Sequence, residues 1–197
     1  PLTYRLPKPH TPESYTKFTL DALEAKVQEL GPNTVLAFAM EPVGGLATGC
    51  TVPLPAYFEG IREICSRHGI FLIFDEVLCG TGRTGKFLNA HYYPDALPDI
   101  VVMAKGLGSG YAPLGATLFP AHLVDHLSTL TGFGFSHTYN ANPITCATGL
   151  AVLDEYERLN LIDNAAAMGG YLRERVWALA DEFPIIGDVR GQGLLLG

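Results

Sequence analysis

Ile70-Phe-Leu-Ile-Phe-Asp-Glu-Val77 is an apolar run that closes on charge, and Asp99-Ile-Val-Val-Met-Ala-Lys-Gly106 repeats the plan further along. Runs this continuous, rich in Ile, Val and Phe, predict strands buried on both faces, the habit of parallel sheets in α/β proteins. Ligands of such sheets bind beyond the carboxyl ends of the strands. Were the two strands neighbours, about 4.8 Å apart, Asp75 and Lys105 would stand side by side at that edge. A carboxylate next to an amine at a ligand edge suggests chemistry. For an arbitrary Asp and Lys, a strand-end ion pair facing water is the competing reading.

The segments around this pair support the same architecture. Residues 34–40 read as a strand ending at Glu41-Pro42, followed by a loop with Gly44, Gly45 and Gly49. A helix from about 55 to 68 would bury Phe58, Ile61, Ile64 and Cys65 and stop at Gly69. Strand, helix and strand in that order predict a right-handed βαβ unit with parallel strands. The link from Lys105 to Pro113 is too short for a crossover helix, so a strand over 113–119 should run antiparallel at one side.

Further out, Thr19 is expected to cap a helix carrying Leu20, Leu23, Val27 and Leu30, with Gly31 at its end. The proline-bearing stretch 1–18 reads as an extended connector, and 78–98 as mostly loop. Shorter helices are expected over 121–130 and from Asn142-Pro143 to about 159. A last helix, 162–182, would turn Leu172, Val176 and Leu179 inward. Residues 184–191 would then leave the domain.

Hydrophobic content of 48% with 17% charged fits a globular chain with a substantial core. The net charge is −7 and the 13 Lys and Arg are scattered. No basic stripe forms, so neither nucleic acid nor a membrane is an expected partner. Apolar runs fall short of a membrane span, and no signal-peptide pattern opens the sequence. Cys50, Cys65, Cys79 and Cys146 make no C-x-x-C pair, which favours reduced thiols inside the cell. The start at Pro1 without Met, and the end inside Gly193-Leu-Leu-Leu-Gly197, lead to the expectation of a fragment of a longer protein.

Two other patterns compete for a function. Gly80-Thr-Gly-Arg-Thr-Gly-Lys86 nearly spells the phosphate loop of NTPases. Phe87 stands where a Mg²⁺-holding hydroxyl is required, Asp75 and Glu76 would repel a triphosphate, and Phe87-Leu-Asn-Ala-His91 is a poor helix start. A glycine-rich turn is the better reading. His122 and His126, four apart on a helix, could share a metal, but no third ligand stands near them in sequence, so no metal is expected.

The Asp75 and Lys105 pair survives this weighing. A lysine at the end of a buried strand, flanked by Gly106, can lose its charge by desolvation and form a Schiff base with an aldehyde. A nearby carboxylate can keep a pyridine nitrogen protonated, which makes the ring an electron sink. Those are the protein's contributions to a pyridoxal 5'-phosphate site. Val77, two residues past Asp75, would alternate to the same side and is short enough to lie under a flat ring.

Three stretches resemble the class III (ω-type) aminotransferases. They are Phe74-Asp-Glu-Val-Leu-Cys-Gly-Thr-Gly-Arg-Thr-Gly85, Pro98-Asp-Ile-Val-Val-Met-Ala-Lys-Gly-Leu107 continued through Gly108-Ser-Gly-Tyr-Ala-Pro-Leu-Gly115, and Phe135-Ser-His-Thr-Tyr139. Glu41-Pro42, Gly169-Gly-Tyr-Leu-Arg-Glu-Arg175 and Gly187-Asp-Val-Arg-Gly-Gln-Gly193 agree with the same family. The resemblance covers nearly the whole chain, in order.

It implies a three-layer α/β/α sandwich with a mostly parallel sheet, the incomplete large domain of fold type I. Residues 1–190 would belong to the coenzyme-binding domain and 191–197 would open a small carboxyl-terminal one. Lys105 would be the Schiff-base lysine and the acid/base of the reaction. Asp75 would pair with the pyridinium nitrogen and Val77 would lie against the ring. Thr138 would reach the coenzyme phosphate of the partner subunit in a homodimer with shared sites. Glu41 would neighbour the substrate.

The implied reaction is ping-pong transfer of an amino group from a small amine or ω-amino acid to a 2-oxo acid, in the cytoplasm or the mitochondrial matrix. An aminomutase, a decarboxylating transaminase and a non-catalytic relative share the motifs. Several members carry Gln where this chain has Leu78, which sets it apart from the 4-aminobutyrate branch. The family's earlier phosphate-cradling turn and stacking aromatic, and its later carboxylate-reading arginine, have no counterpart in these residues.

Overall fold

The computed structural model describes residues 6–130, 132, 134 and 137–197. Strands β1 (Ala37–Met40), β2 (Phe71–Asp75) and β3 (Ile100–Met103) pair in parallel in that order, and β4 (Ala116–Leu118) runs antiparallel against β3 at the sheet edge. The short link after Lys105 thus makes the reversal it was expected to make.

Two helices close one face of the sheet. Helix α1 (Pro12–Leu30) precedes β1, and helix α2 (Pro55–His68) connects β1 to β2. Phe58, Ile61, Ile64 and Cys65 are the buried residues of α2, as their spacing predicts. Phe58 stacks on Tyr93 at 3.7 Å between ring centroids and meets Phe74 edge-on at 5.9 Å. With Val27, Leu72 and Ala96 they form the main core.

Helix α1 begins well before the expected Thr19. Its cap is Thr11, whose Oγ1 accepts the Ser14 N–H at 3.3 Å while the Thr11 N–H donates to Ser14 Oγ at 2.8 Å. Pro12 occupies the first helical position, where its fixed φ suits the turn and its missing N–H has no helical partner to lose. Counting prolines as extended chain misread residues 12–18. Residues 1–5 lie outside the described ones.

The second face of the sheet is less covered than two continuous apolar runs predict. Leu72 and Phe74 are fully buried, whereas Phe71, Ile73 and Asp75 alternate onto a half-open face with Ile100 and Val102. Strand alternation puts every second residue opposite α1 and α2, so those helices shelter only one set.

Helix α3 (Ala121–Leu130) holds His122 and His126 in solvent. No cluster of His, Cys, Asp and Glu able to hold a metal occurs among the described residues. No helix there is long and apolar enough to cross a membrane. Helix α4 (Pro143–Arg158) is capped by Asn142, whose Oδ1 accepts the N–H groups of Ile144 and Thr145.

Helix α5 (Leu161–Ala180) buries Ala165 and Gly169, not Leu172, Val176 and Leu179. Small residues win because the chain packs directly against this helix. A Cβ on Gly169 would collide with the Gly193 backbone. Gly193 lies in the hairpin of β5 (Gly191–Gln192) and β6 (Leu195–Leu196). Leu194 N–H donates to the Arg83 carbonyl at 3.0 Å and Arg190 Nε to the Gly49 carbonyl at 2.7 Å. The 191–197 segment therefore lies against the glycine-rich loops that follow β1 and β2.

Candidate active site

Asp75 is the last residue of β2 and pairs in register with Val102 of β3. The next amide, Glu76 N–H, donates to the Val102 carbonyl at 2.8 Å, which ties the two strand ends together. Asp75 is half-buried, and its Oδ1 accepts the Val77 N–H at 3.0 Å. Its Oδ2 has no partner among the described residues. Val77 does not continue the strand. It opens a turn, its N–H tied to Asp75 Oδ1, so the extended alternation expected of it stops at Asp75.

Lys105 lies at the same sheet edge but not directly beside Asp75. Strand β3 ends at Met103, and Lys105 starts a 3-10 turn (Lys105–Leu107) with φ +41, in the left-handed region. A side chain there costs of the order of 1 kcal/mol, and such geometry persists where the surroundings enforce it. Lys105 is exposed, and its ammonium makes no hydrogen bond or ion pair among the described residues. The strand-end ion pair with Asp75 is therefore not formed.

Glu41 follows β1 at this edge. Its Oε2 accepts the Gly45 N–H at 2.9 Å. A Cβ on Gly45 would meet Glu41 Oε1 at 2.9 Å and Leu78 Cδ2 at 3.2 Å, so the Glu41 carboxylate and the residue after Val77 converge on one glycine. Thr138 is not brought to this group. It sits exposed in the turn ahead of α4, beside Tyr139, whose N–H donates to His137 Nδ1 at 3.2 Å. Phe135 and Ser136, which precede it in the motif, lie outside the described residues.

Glu76 is the residue that sequence reasoning passed over. It is fully buried, and its carboxylate accepts two backbone N–H groups, from Asn89 at 2.5 Å and Ala90 at 2.8 Å. Burial raises its pKa, while those two donors hold it down in part. Glu76 thus ties the strand end to the far side of the 77–88 loop. The signal was available, since it shares the inward phase of Leu72 and Phe74. Cys79 is also buried, and burial pushes its thiol up to about 12, which keeps it protonated at neutral pH.

The phosphate-loop reading fails on geometry. Residues 77–88 form turns and bends with no helix opening at Gly85, so no helix N-terminus faces an anion. Phe87 packs against the Val101, Met103 and Leu107 cluster, and Lys86 Nζ lies 5.9 Å from the Tyr92 ring centre.

The Aminotransferase class-III family model matches residues 2–197. The chain belongs to that family. A diaminobutyrate–2-oxoglutarate transaminase of Halomonas elongata is 39% identical over 190 residues, which cover 94% of this chain and 40% of that one. A taurine–pyruvate aminotransferase of Bilophila wadsworthia is 41% identical over 182 residues, 89% of this chain and 39% of that one. An amine transaminase from an uncultivated Pseudomonas species, solved in its PLP-bound form, superposes with a TM-score of 0.90 at 40% identity. That match covers 98% of this chain and 44% of the solved one. The fold is accordingly part of the fold type I large domain. This class III chain spans about two fifths of the length of the curated relatives it matches.

Class III aminotransferases depend on pyridoxal phosphate, and the donor set here fits that group. Asp75 keeps one carboxylate oxygen tied and one open, which suits a protonated ring nitrogen. Lys105 offers an unpaired amine, which suits an aldehyde.

Proposed function

We propose that the protein to which this chain belongs is a transaminase that moves an amino group from an amine or ω-amino acid to a 2-oxo acid in two half-reactions. The reading rests on one observation above all: an open Asp75 oxygen and an unpaired Lys105 amine beyond the ends of adjacent parallel strands. Bound there, pyridoxal phosphate supplies an electron-withdrawing ring and a carbon that accepts the amino group.

The side chains have distinct tasks. Lys105 Nζ would hold the coenzyme aldehyde and would carry the proton taken from the donor Cα. Asp75, through its open Oδ2, would keep the ring nitrogen protonated, and Val77 would lie against the ring. Glu41, converging with Leu78 on Gly45, borders the substrate. Thr138, exposed on this chain, serves the coenzyme phosphate of a partner subunit in a homodimer. The four free thiols support an intracellular setting, the cytoplasm first and the mitochondrial matrix second.

A panel of amino donors with pyruvate and 2-oxoglutarate, run on the intact protein and on Asp75→Asn, tests this. Amino transfer to one of the two acceptors should appear and fall by about 10²-fold or more in the variant, because Asn carries no charge to keep a ring nitrogen protonated. Product with a shifted amino group and no 2-oxo acid consumed would mark an aminomutase instead. Carbon dioxide release would mark a decarboxylating enzyme.

A further inference from the structure

The turn that carries Lys105 is gripped from a distant helix. Tyr156, near the end of α4, donates its hydroxyl to the Gly106 carbonyl at 3.4 Å, across 50 residues of sequence. Ser109 N–H and Oγ also donate to that carbonyl, at 3.2 and 3.0 Å, but both belong to the same local turn. Among the described residues, Tyr156 makes the one side-chain hydrogen bond that reaches this turn from another element.

The ring extends the grip to the loop after Asp75. A Cβ on Gly106 would stand 3.4 Å from Tyr156 Oη and 3.1 Å from Thr81 Cβ. A Cβ on Gly82 would stand 3.2 Å from Tyr156 Cε1. One side chain is therefore lodged between the two segments that carry Lys105 and follow Asp75. It also lines, with Lys105, Gly106 and Thr81, a cavity of about 250 Å³. Both segments hold non-glycine residues at positive φ, Thr81 at +49 and Lys105 at +41. Strained backbone of this kind needs outside constraint, and a phenol at the end of a helix supplies it at low entropic cost, with two side-chain torsions to fix.

We propose that Tyr156 is a positioning residue that holds Lys105 in its left-handed backbone and so fixes the direction of its amine. The proposal deepens the transaminase reading and rests on Lys105 as the working amine.

The test uses the intact protein without coenzyme, so it answers even if pyridoxal phosphate proves not to bind. Tyr156→Phe removes the donor and keeps the ring against Gly82. Tyr156→Leu removes both. Amide hydrogen exchange across residues 105–109 and the rate at which an amine-acylating reagent labels Lys105 are measured against wild type. Exchange at the turn should speed up several-fold in Tyr156→Phe and more in Tyr156→Leu, with a changed Lys105 labelling rate and exchange in α1 and α2 unaltered. In the coenzyme-loaded protein, kcat should fall while KM for the donor holds. Wild-type exchange and labelling in Tyr156→Phe would overturn the proposal, as would a uniform rise in exchange across the molecule, which marks a merely structural tyrosine.

Discussion

Glu76 shows how much of this site is built from buried polar geometry. Its carboxylate satisfies two amides that start the 3-10 turn Asn89–Tyr92, in a fully buried place. Glu76→Ala leaves both donors unpaired at about 1–3 kcal/mol each, so a loss of about 2–6 kcal/mol in denaturant unfolding is expected. The pH dependence has a definite sign. Burial raises the folded pKa, so the folded chain keeps this proton to higher pH than the unfolded one. Stability from Glu76 is then full below the unfolded value and is lost as pH rises through the folded one. The unfolding free energy of wild type relative to Glu76→Gln should shrink as pH climbs above the ordinary glutamate value of about 4.3; a growing difference would contradict the assignment.

The elements differ in how openly the sequence announces them. Helix α2 was legible to the residue, because Phe58, Ile61, Ile64 and Cys65 keep strict helical spacing and Gly69 marks the end. The antiparallel β4 followed from a link too short to cross over. Helix α1 was half hidden, because Pro12 reads as a breaker unless the Thr11 and Ser14 reciprocal cap is noticed. Helix α5 was misread for a different reason: its contact face is chosen by Gly169 and Ala165, which periodicity of large residues cannot reveal.

That contact can be tested directly. Gly169→Ala would drive a methyl group into the Gly193 backbone, and overpacking of this kind costs about 1–3 kcal/mol. The melting temperature should drop, and proteolytic nicking should rise around 190–197 as the hairpin detaches. Wild-type stability and wild-type resistance to nicking would show that α5 and the hairpin separate freely.

At the scale of the whole molecule, one face of the sheet is closed and the other is half open. Leu150, Tyr171, Trp177 and Ile185 stand in solvent on or beyond α4 and α5. The positions of Asp75, Val77 and Lys105 were legible because each sits at or just past a strand end, where local pattern and chemistry coincide. The left-handed turn at Lys105 and the grip of Tyr156 were not, since both depend on contacts between distant segments. Thr138 and Glu41 entered through family resemblance alone, and the geometry gathers Glu41 to this edge while leaving Thr138 exposed.

The central claim is that Lys105 is the covalent anchor of a pyridoxal phosphate site. It is tested most directly by incubating the intact protein with pyridoxal phosphate, reducing with borohydride and mapping the modified peptide. One phosphopyridoxyl group on Lys105 is predicted, absent in Lys105→Ala. A Lys105 left unmodified, or label spread over Lys17, Lys26 and Lys86 instead, would contradict it.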